Sequence, residues 1–150
     1  MRNIISSTIC GIVISAALLS FSPNPGGEGF EISQGGKILT QKFGNNLEEG
    51  KTLQLQITST EPLIVKYHHC GRVGNNRVIT VKDDQNKLLK EFRYADVKTP
   101  VPSMAVPLKN ILTMKKGGSV SLKLFYSSTE LPKGRQLASI ITGNAGLAKR

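Results

Sequence analysis

The feature that most constrains this chain is a two-residue alternation of apolar and polar side chains, which recurs from about residue 30 onward. The segment TLQLQIT places Leu53, Leu55 and Ile57 on one side of an extended backbone and glutamines on the other. Because successive side chains of a β-strand point to opposite faces, this pattern predicts strands that are buried on one face only. The same alternation in SVSLKLFYSS predicts four inward side chains: Val120, Leu122, Leu124 and Tyr126.

Turn signals separate further strands of the same kind. FEISQGGKILTQKF (30–43) predicts a hairpin, since Gly35 and Gly36 adopt the positive φ angles of a tight turn at no steric cost. RVITVKDDQNKLLKEFRY (77–94) predicts a second hairpin that turns at 83–87, where Asp and Asn side chains bond their own backbone.

Together with strands predicted at 61–70 and 136–142, these segments give seven or eight strands. Short strands with frequent turns are typical of a single antiparallel β-sandwich, of jelly-roll or immunoglobulin-like topology. Apolar residues at helical spacing, followed by lysines and a glycine pair, predict one short helix near 107–116. The proline-rich segment VKTPVPSMAVP (97–107) before it predicts a loop or an edge strand.

The N-terminus has the pattern of a secretory signal peptide. Arg2 precedes an uncharged, largely apolar run at 3–21, and a stretch rich in proline and glycine follows that run. We therefore expect residues 1–22 to be a signal peptide, with the cleavage position left open between 17 and 27. The mature protein would be periplasmic or secreted. An uncleaved, membrane-tethering helix is the alternative.

The remaining length is that of one domain. We expect a flexible linker at 23–29, a β-sandwich domain at 30–142 and a frayed tail at 143–150. Cys10 lies inside the predicted signal peptide, so Cys70 has no partner for an intramolecular disulfide in the mature chain.

The charge balance indicates what kind of partner suits the chain. It carries 20 Lys and Arg against 10 Asp and Glu, a formal net charge of +10. Such an excess favours acidic partners, so we expect an acidic polymer, a glycan, a membrane surface or a protein. Aromatic residues make up only 5% of the chain and Trp is absent, which disfavours a nucleic-acid partner because bases stack on aromatic side chains.

The segment KYHHCG (66–71) holds the most chemically versatile residues of the chain. Imidazole and thiolate are ligands of zinc and copper. Strand alternation predicts that His68 and Cys70 share one face, about 6–7 Å apart, whereas His69 points the other way. A copper or zinc site would use His68 and Cys70, with His69 as a further candidate. Its remaining ligands would come from other residues: Asp83, Asp84, Glu91, Asp96, Met104 or Met114.

Other readings of the same residues stay open. Cys70 is a candidate for redox or nucleophile chemistry, and the whole segment also fits the end of an ordinary strand. The loop GRVGNNR that follows offers Arg72 and Arg77 as candidate anion-binding residues. Nothing in the sequence assembles a catalytic motif, so we expect a non-catalytic binding or structural role at the cell envelope or outside the cell.

Overall fold

The computed structural model describes residues 27–47, 50–56, 60–109 and 120–143, and these ranges form an all-β structure of two sheets. A short 3-10 turn, Gly44–Asn46, follows the second strand. The nine strands described are β1 (Gly29–Gln34), β2 (Lys37–Phe43), β3 (Lys51–Gln56), β4 (Leu63–His68), β5 (Val78–Asp83), β6 (Leu88–Arg93), β7 (Ser103–Val106), β8 (Val120–Ser127) and β9 (Arg135–Gly143).

The strands are divided between a four-stranded sheet, in the order β2-β1-β4-β7, and a five-stranded sheet, in the order β3-β9-β8-β5-β6. Neighbouring strands are antiparallel, with the exception of β3 and β9, which are parallel. The expectation of an entirely antiparallel structure was therefore wrong at this pair. Lys51 of β3 lies opposite Ala138 of β9, so a long stretch of chain separates the two strands and no hairpin fixes their direction.

Both predicted hairpins are confirmed. Gly35 and Gly36 join β1 to β2 with φ angles of 57° and 75°. Between β5 and β6, the side chain of Asp83 accepts hydrogen bonds from the backbone N–H groups of Gln85 and Lys87, at 3.0 and 2.9 Å. The strand count exceeds the predicted seven or eight because residues 103–106 form the edge strand β7 rather than a loop.

The hydrophobic core contains side chains from both sheets. Phe30 and Val65 come from the four-stranded sheet, Leu122 and Leu124 come from the five-stranded sheet, and all four are fully buried. Of the side chains predicted to point inward, the structure confirms Leu53, Leu55, Leu122, Leu124 and Tyr126. The two sheets therefore share one hydrophobic cluster.

Several predictions fall outside the described residues. The signal peptide 1–22, most of the linker, the inward position Ile57 and the tail beyond residue 143 are among them, as is the side chain of Val120. Residues 110–116, the larger part of the helix predicted near 107–116, are also not described. In the described part of the chain, no helix has the length and hydrophobicity needed to span a bilayer.

Candidate functional site

The segment KYHHCG contains the end of β4 and a tight turn. The strand ends at His68, and Cys70 and Gly71 have φ angles of 50° and 82°. The backbone N–H of Arg72 donates to the carbonyl of His69 at 2.9 Å, which closes the turn. Two successive positive φ angles are typical of a type I′ turn. Strand alternation therefore does not extend to Cys70, and the prediction that His68 and Cys70 lie on one strand face was wrong.

His68 lies on the outer face of the four-stranded sheet. Its ring is half-buried and meets the ring of Phe43 edge to face, with centroids 5.3 Å apart. Gly29 lies between them in the sheet, and a Cβ atom there would come within 2.0 Å of the Phe43 ring. Burial lowers the pKa of His68, although the nearby Glu31 carboxylate opposes that shift. The Phe43 ring thus fills the space above a strand glycine, and the His68 ring packs against it.

His69 points the opposite way, into the interior. Its Nε2 atom lies 2.8 Å from the Tyr126 hydroxyl and 3.3 Å from Oγ of Ser128, and all three residues are buried. Burial lowers the pKa of His69, while the charges of Glu130 and Glu28 act in the opposite direction. His69 is therefore a largely buried imidazole held by two hydroxyl groups.

Tyr67 connects this interior cluster to the surface. Its ring stacks on Tyr126 with centroids 4.2 Å apart, and its hydroxyl donates to Glu28 at 2.7 Å and accepts from Arg135. Arg135 also forms an ion pair with Glu28 at 2.7 Å. Burial raises the pKa of Glu28, but hydrogen bonds from Tyr67 and Arg135 outweigh that effect and leave it lowered.

Glu28 and Arg135 also line an open cleft of about 440 Å³ at the surface. Gly27, Gly44 and Leu47 complete most of its wall. Because the carboxylate and the guanidinium are already paired with each other, the cleft presents a neutralised ion pair rather than a free charge.

Cys70 occupies a third environment, because it is exposed to solvent in the turn. The three neighbouring candidates therefore lie in three different environments. Among the residues that were to complete a metal site, Asp83 holds the β5–β6 turn, Asp96 accepts from the N–H of Asn76 at 2.7 Å, and Met104 is fully buried. Met114 lies outside the described residues. In the described ranges, no three or more His, Cys, Asp or Glu residues form a group able to hold a metal ion.

The candidate anion-binding arginines are also separated. Arg72 is exposed, whereas Arg77 is 3% exposed and donates through Nη2 to the carbonyl of Ala95. The other two guanidinium nitrogens of Arg77 have no hydrogen-bond partner within the described part of the chain.

The loop does bind anionic groups, but they belong to this chain. The backbone N–H of Asn75 donates to Glu130 at 2.9 Å, and that of Asn76 donates to Asp96. Burial raises the pKa of Glu130, yet hydrogen bonds from Asn75 and other donors lower it to about 2.

The outer face of the five-stranded sheet carries a feature that sequence reasoning missed. Lys82 of β5 lies directly opposite Lys123 of β8. The ammonium of Lys82 stands 4.6 Å from the centre of the Phe125 ring, and Lys123 donates to the side chain of Asn86 at 2.8 Å. Each lysine alternates with buried residues of its own strand and so lies on the outer face, but only the pairing register brings the two together. We call Lys82, Lys123 and Phe125 the basic sheet face.

Comparison of the sequence with models of known protein families, and with curated protein sequences, finds no match.

Proposed function

We propose that this protein is an exported, immunoglobulin-like β-sandwich that binds an acidic partner without catalysis, at the cell envelope or outside the cell. The basic sheet face is the observation that carries the proposal. Like charges placed directly opposite each other on neighbouring strands destabilise a sheet. An anionic partner that contacts Lys82 and Lys123 together would relieve that repulsion.

The strand order supports the immunoglobulin-like alternative over the jelly roll. In the five-stranded sheet, β5, β8 and β9 are neighbours in that order, as are strands C, F and G of an immunoglobulin domain. In the four-stranded sheet, β1, β4 and β7 correspond in the same way to strands A, B and E. The hairpins β5–β6 and β8–β9 stay within one sheet, which fits the same scheme.

The contacts of the polar interior support a non-catalytic role. The Nε2 atom of His69 is shared between Tyr126 and Ser128, and Glu28 is paired with Arg135. These groups serve as hydrogen-bond partners of one another, which is how buried polar side chains stabilise a fold.

Export is tested by locating the full chain in a bacterial host. We expect the protein in the periplasm or the medium, with a new N-terminus between residues 17 and 27. Cell fractionation and N-terminal sequencing check this. A full-length chain in the membrane fraction would favour the tethered alternative, and a full-length chain in the cytoplasm would contradict export.

Binding is tested with the purified exported protein on immobilised polyanions: heparin, polygalacturonate and polyglutamate, with dextran as the neutral control. We expect binding to at least one polyanion, weakening as salt rises because salt screens exposed charges. The double variant Lys82→Gln/Lys123→Gln should lose most of it. Lys98→Gln/Lys133→Gln removes the same charge from exposed positions elsewhere and should keep it. Equal loss in both variants would contradict a role for the basic sheet face.

A further inference from the structure

A groove runs along one side of the molecule, where the edge of one sheet faces the edge of the other. Residues 37–39 of β2 and 51–55 of β3 line it, and its volume is about 330 Å³. In the described part of the chain, β2 pairs only with β1 and β3 pairs only with β9. The groove is therefore bounded by two edge strands that belong to different sheets.

The wall of this groove is apolar in its deeper part. Leu53 and Leu55 are core residues, exposed by 5% and 6%, and Leu39 packs against the same core. Ile38 also lines the groove and is 52% exposed. An alkyl chain lying in the groove would cover Ile38 and contact the leucines behind it.

The charged side chains among the described lining residues of the groove are both positive. Lys37 and Lys51 are exposed, and the lining residues that the structure describes include no Asp or Glu. The Lys51 ammonium crosses the groove and donates to the backbone carbonyl of Leu39 at 3.3 Å. Leu39 is the extra residue at the bulge where β2 shifts register against β1. An anionic group would offer Lys51 a stronger partner than this exposed, neutral carbonyl.

We propose that this groove binds a single-chain amphiphilic anion, whose alkyl chain lies along Ile38 and the leucines and whose carboxylate or phosphate meets Lys37 and Lys51. Apolar walls with a few well-placed polar groups are typical of small-molecule sites, and a volume near 330 Å³ lies at the lower end of their range. The groove is separate from the basic sheet face, so this inference does not depend on the acidic partner proposed above.

The alkyl chain and the head group of the ligand lead to separate predictions. Each methylene removed from water should raise the affinity about fourfold at most, so affinity should increase with chain length. The head group should need a negative charge, because Lys37 and Lys51 would otherwise have no anionic partner in the complex. A soluble fatty acid and a bilayer lipid share this chemistry, and they are distinguished by presenting the ligand as monomer or as vesicle.

The test is calorimetric titration of the purified exported protein with four ligands, of which the three amphiphiles are kept below their micelle-forming concentrations. Dodecanoate should bind at one site, and octanoate should bind at least about tenfold more weakly. Acetate, which lacks the chain, and dodecyltrimethylammonium, which reverses the charge, should not bind measurably. Comparable binding of the cationic amphiphile, or affinity independent of chain length, would overturn the proposal. So would binding to phosphatidylglycerol vesicles without binding of monomeric dodecanoate, which would indicate a membrane-docking surface instead.

Variants assign the binding to the groove. Lys37→Gln/Lys51→Gln should weaken dodecanoate binding roughly tenfold. Ile38→Glu should abolish it, and this variant should fold because Ile38 is largely exposed. Lys98→Gln/Lys133→Gln is the matched control, which removes the same two charges from exposed positions outside the groove and should keep dodecanoate binding. Unchanged binding in both groove variants would refute the assignment, whatever the outcome for the basic sheet face.

Discussion

Replacement of Tyr126 by phenylalanine is the sharpest test of the buried cluster around His69. The change removes one hydroxyl and keeps the ring that stacks on Tyr67 at 4.2 Å. The hydroxyl is fully buried and lies 2.8 Å from Nε2 of His69. His69 would keep only the longer contact to Ser128, at 3.3 Å. Because burial raises the pKa of Tyr126 to about 12, the group that is lost is a neutral hydroxyl at any physiological pH.

The expected cost follows from these contacts. A net hydrogen bond contributes about 0.5–1.5 kcal/mol, and a buried polar atom left without a partner costs about 1–3 kcal/mol. Because Ser128 still contacts the imidazole, only part of the cost of an unpaired buried atom should apply. We therefore expect the free energy of unfolding to fall by about 1–3 kcal/mol. Urea unfolding of wild type and variant at pH 7 measures this, with an unchanged m-value as the sign of the same transition.

The control is Tyr94→Phe. The Tyr94 hydroxyl also makes a short hydrogen bond, 2.7 Å to the carbonyl of Ala105, but at a site exposed enough for water to replace it. We expect a loss below about 1 kcal/mol. A loss below about 0.5 kcal/mol in Tyr126→Phe, or equal losses in the two variants, would refute the argument that the interior cluster stabilises the fold.

Three further predictions follow from the same structure. Stability should fall as pH drops from 7 towards 5, because burial lowers the pKa of His68 and His69 and the unfolded chain therefore binds more protons than the folded one. A second loss should follow between about pH 4.5 and 2, where the carboxylates of Glu130 and Glu28, whose pKa values are both lowered in the folded protein, are protonated, so Glu130→Gln should reduce this loss and leave the contribution of Glu28. Urea titrations across pH measure both losses, and flat stability from pH 7 to 5 would contradict the first. Leu124→Ala should cost about 2–5 kcal/mol and Gln54→Ala under about 0.5, whereas similar losses would mean that the register of the five-stranded sheet is wrong. After loading with Cu(I) or Zn²⁺ and desalting, we expect less than one equivalent of metal in wild type and in Cys70→Ser alike, and one equivalent lost in the variant would support the metal hypothesis.

The faces of the strands could be predicted from sequence because they are a local property. The sequences TLQLQIT and LIVKYH both predict burial of alternate side chains, and the structure confirms the pattern at Leu53, Gln54 and Leu55 of the first and along the whole of the second. The hairpin turns were predictable for the same reason. The positive φ angles of Gly35–Gly36 and the hydrogen bonds of the Asp83 side chain determine the backbone only within a few residues of their own positions. Register between distant strands has no such local signal. The parallel pairing of β3 with β9 and the meeting of Lys82 with Lys123 therefore could not be predicted.

The turn at Cys70 shows a second reason why the sequence did not predict the candidate site correctly. Gly71 marked a place where the strand could end, but cysteine rarely adopts positive φ, so its type gave no sign that it begins the turn. When a strand ends one residue earlier than predicted, the side chains that follow no longer obey its alternation, so the direction in which they point changes. The metal hypothesis depended on that residue, because it required Cys70 to continue the alternation of β4.

The contrast between the polar interior and the groove indicates where a ligand would most readily be accommodated. Tyr67 lies in β4 and His69 comes directly after the end of that strand, and both side chains point inward and bring polar atoms into one region of the core. There Glu28, Arg135 and Tyr126 satisfy them, and a ligand entering this region would have to break several buried hydrogen bonds. Between β2 and β3, by contrast, a ligand would displace only an exposed contact between a lysine and a carbonyl, and it would cover apolar surface. The same physical rule, that buried polar groups must be paired, therefore disfavours binding at the histidines and favours it at the groove.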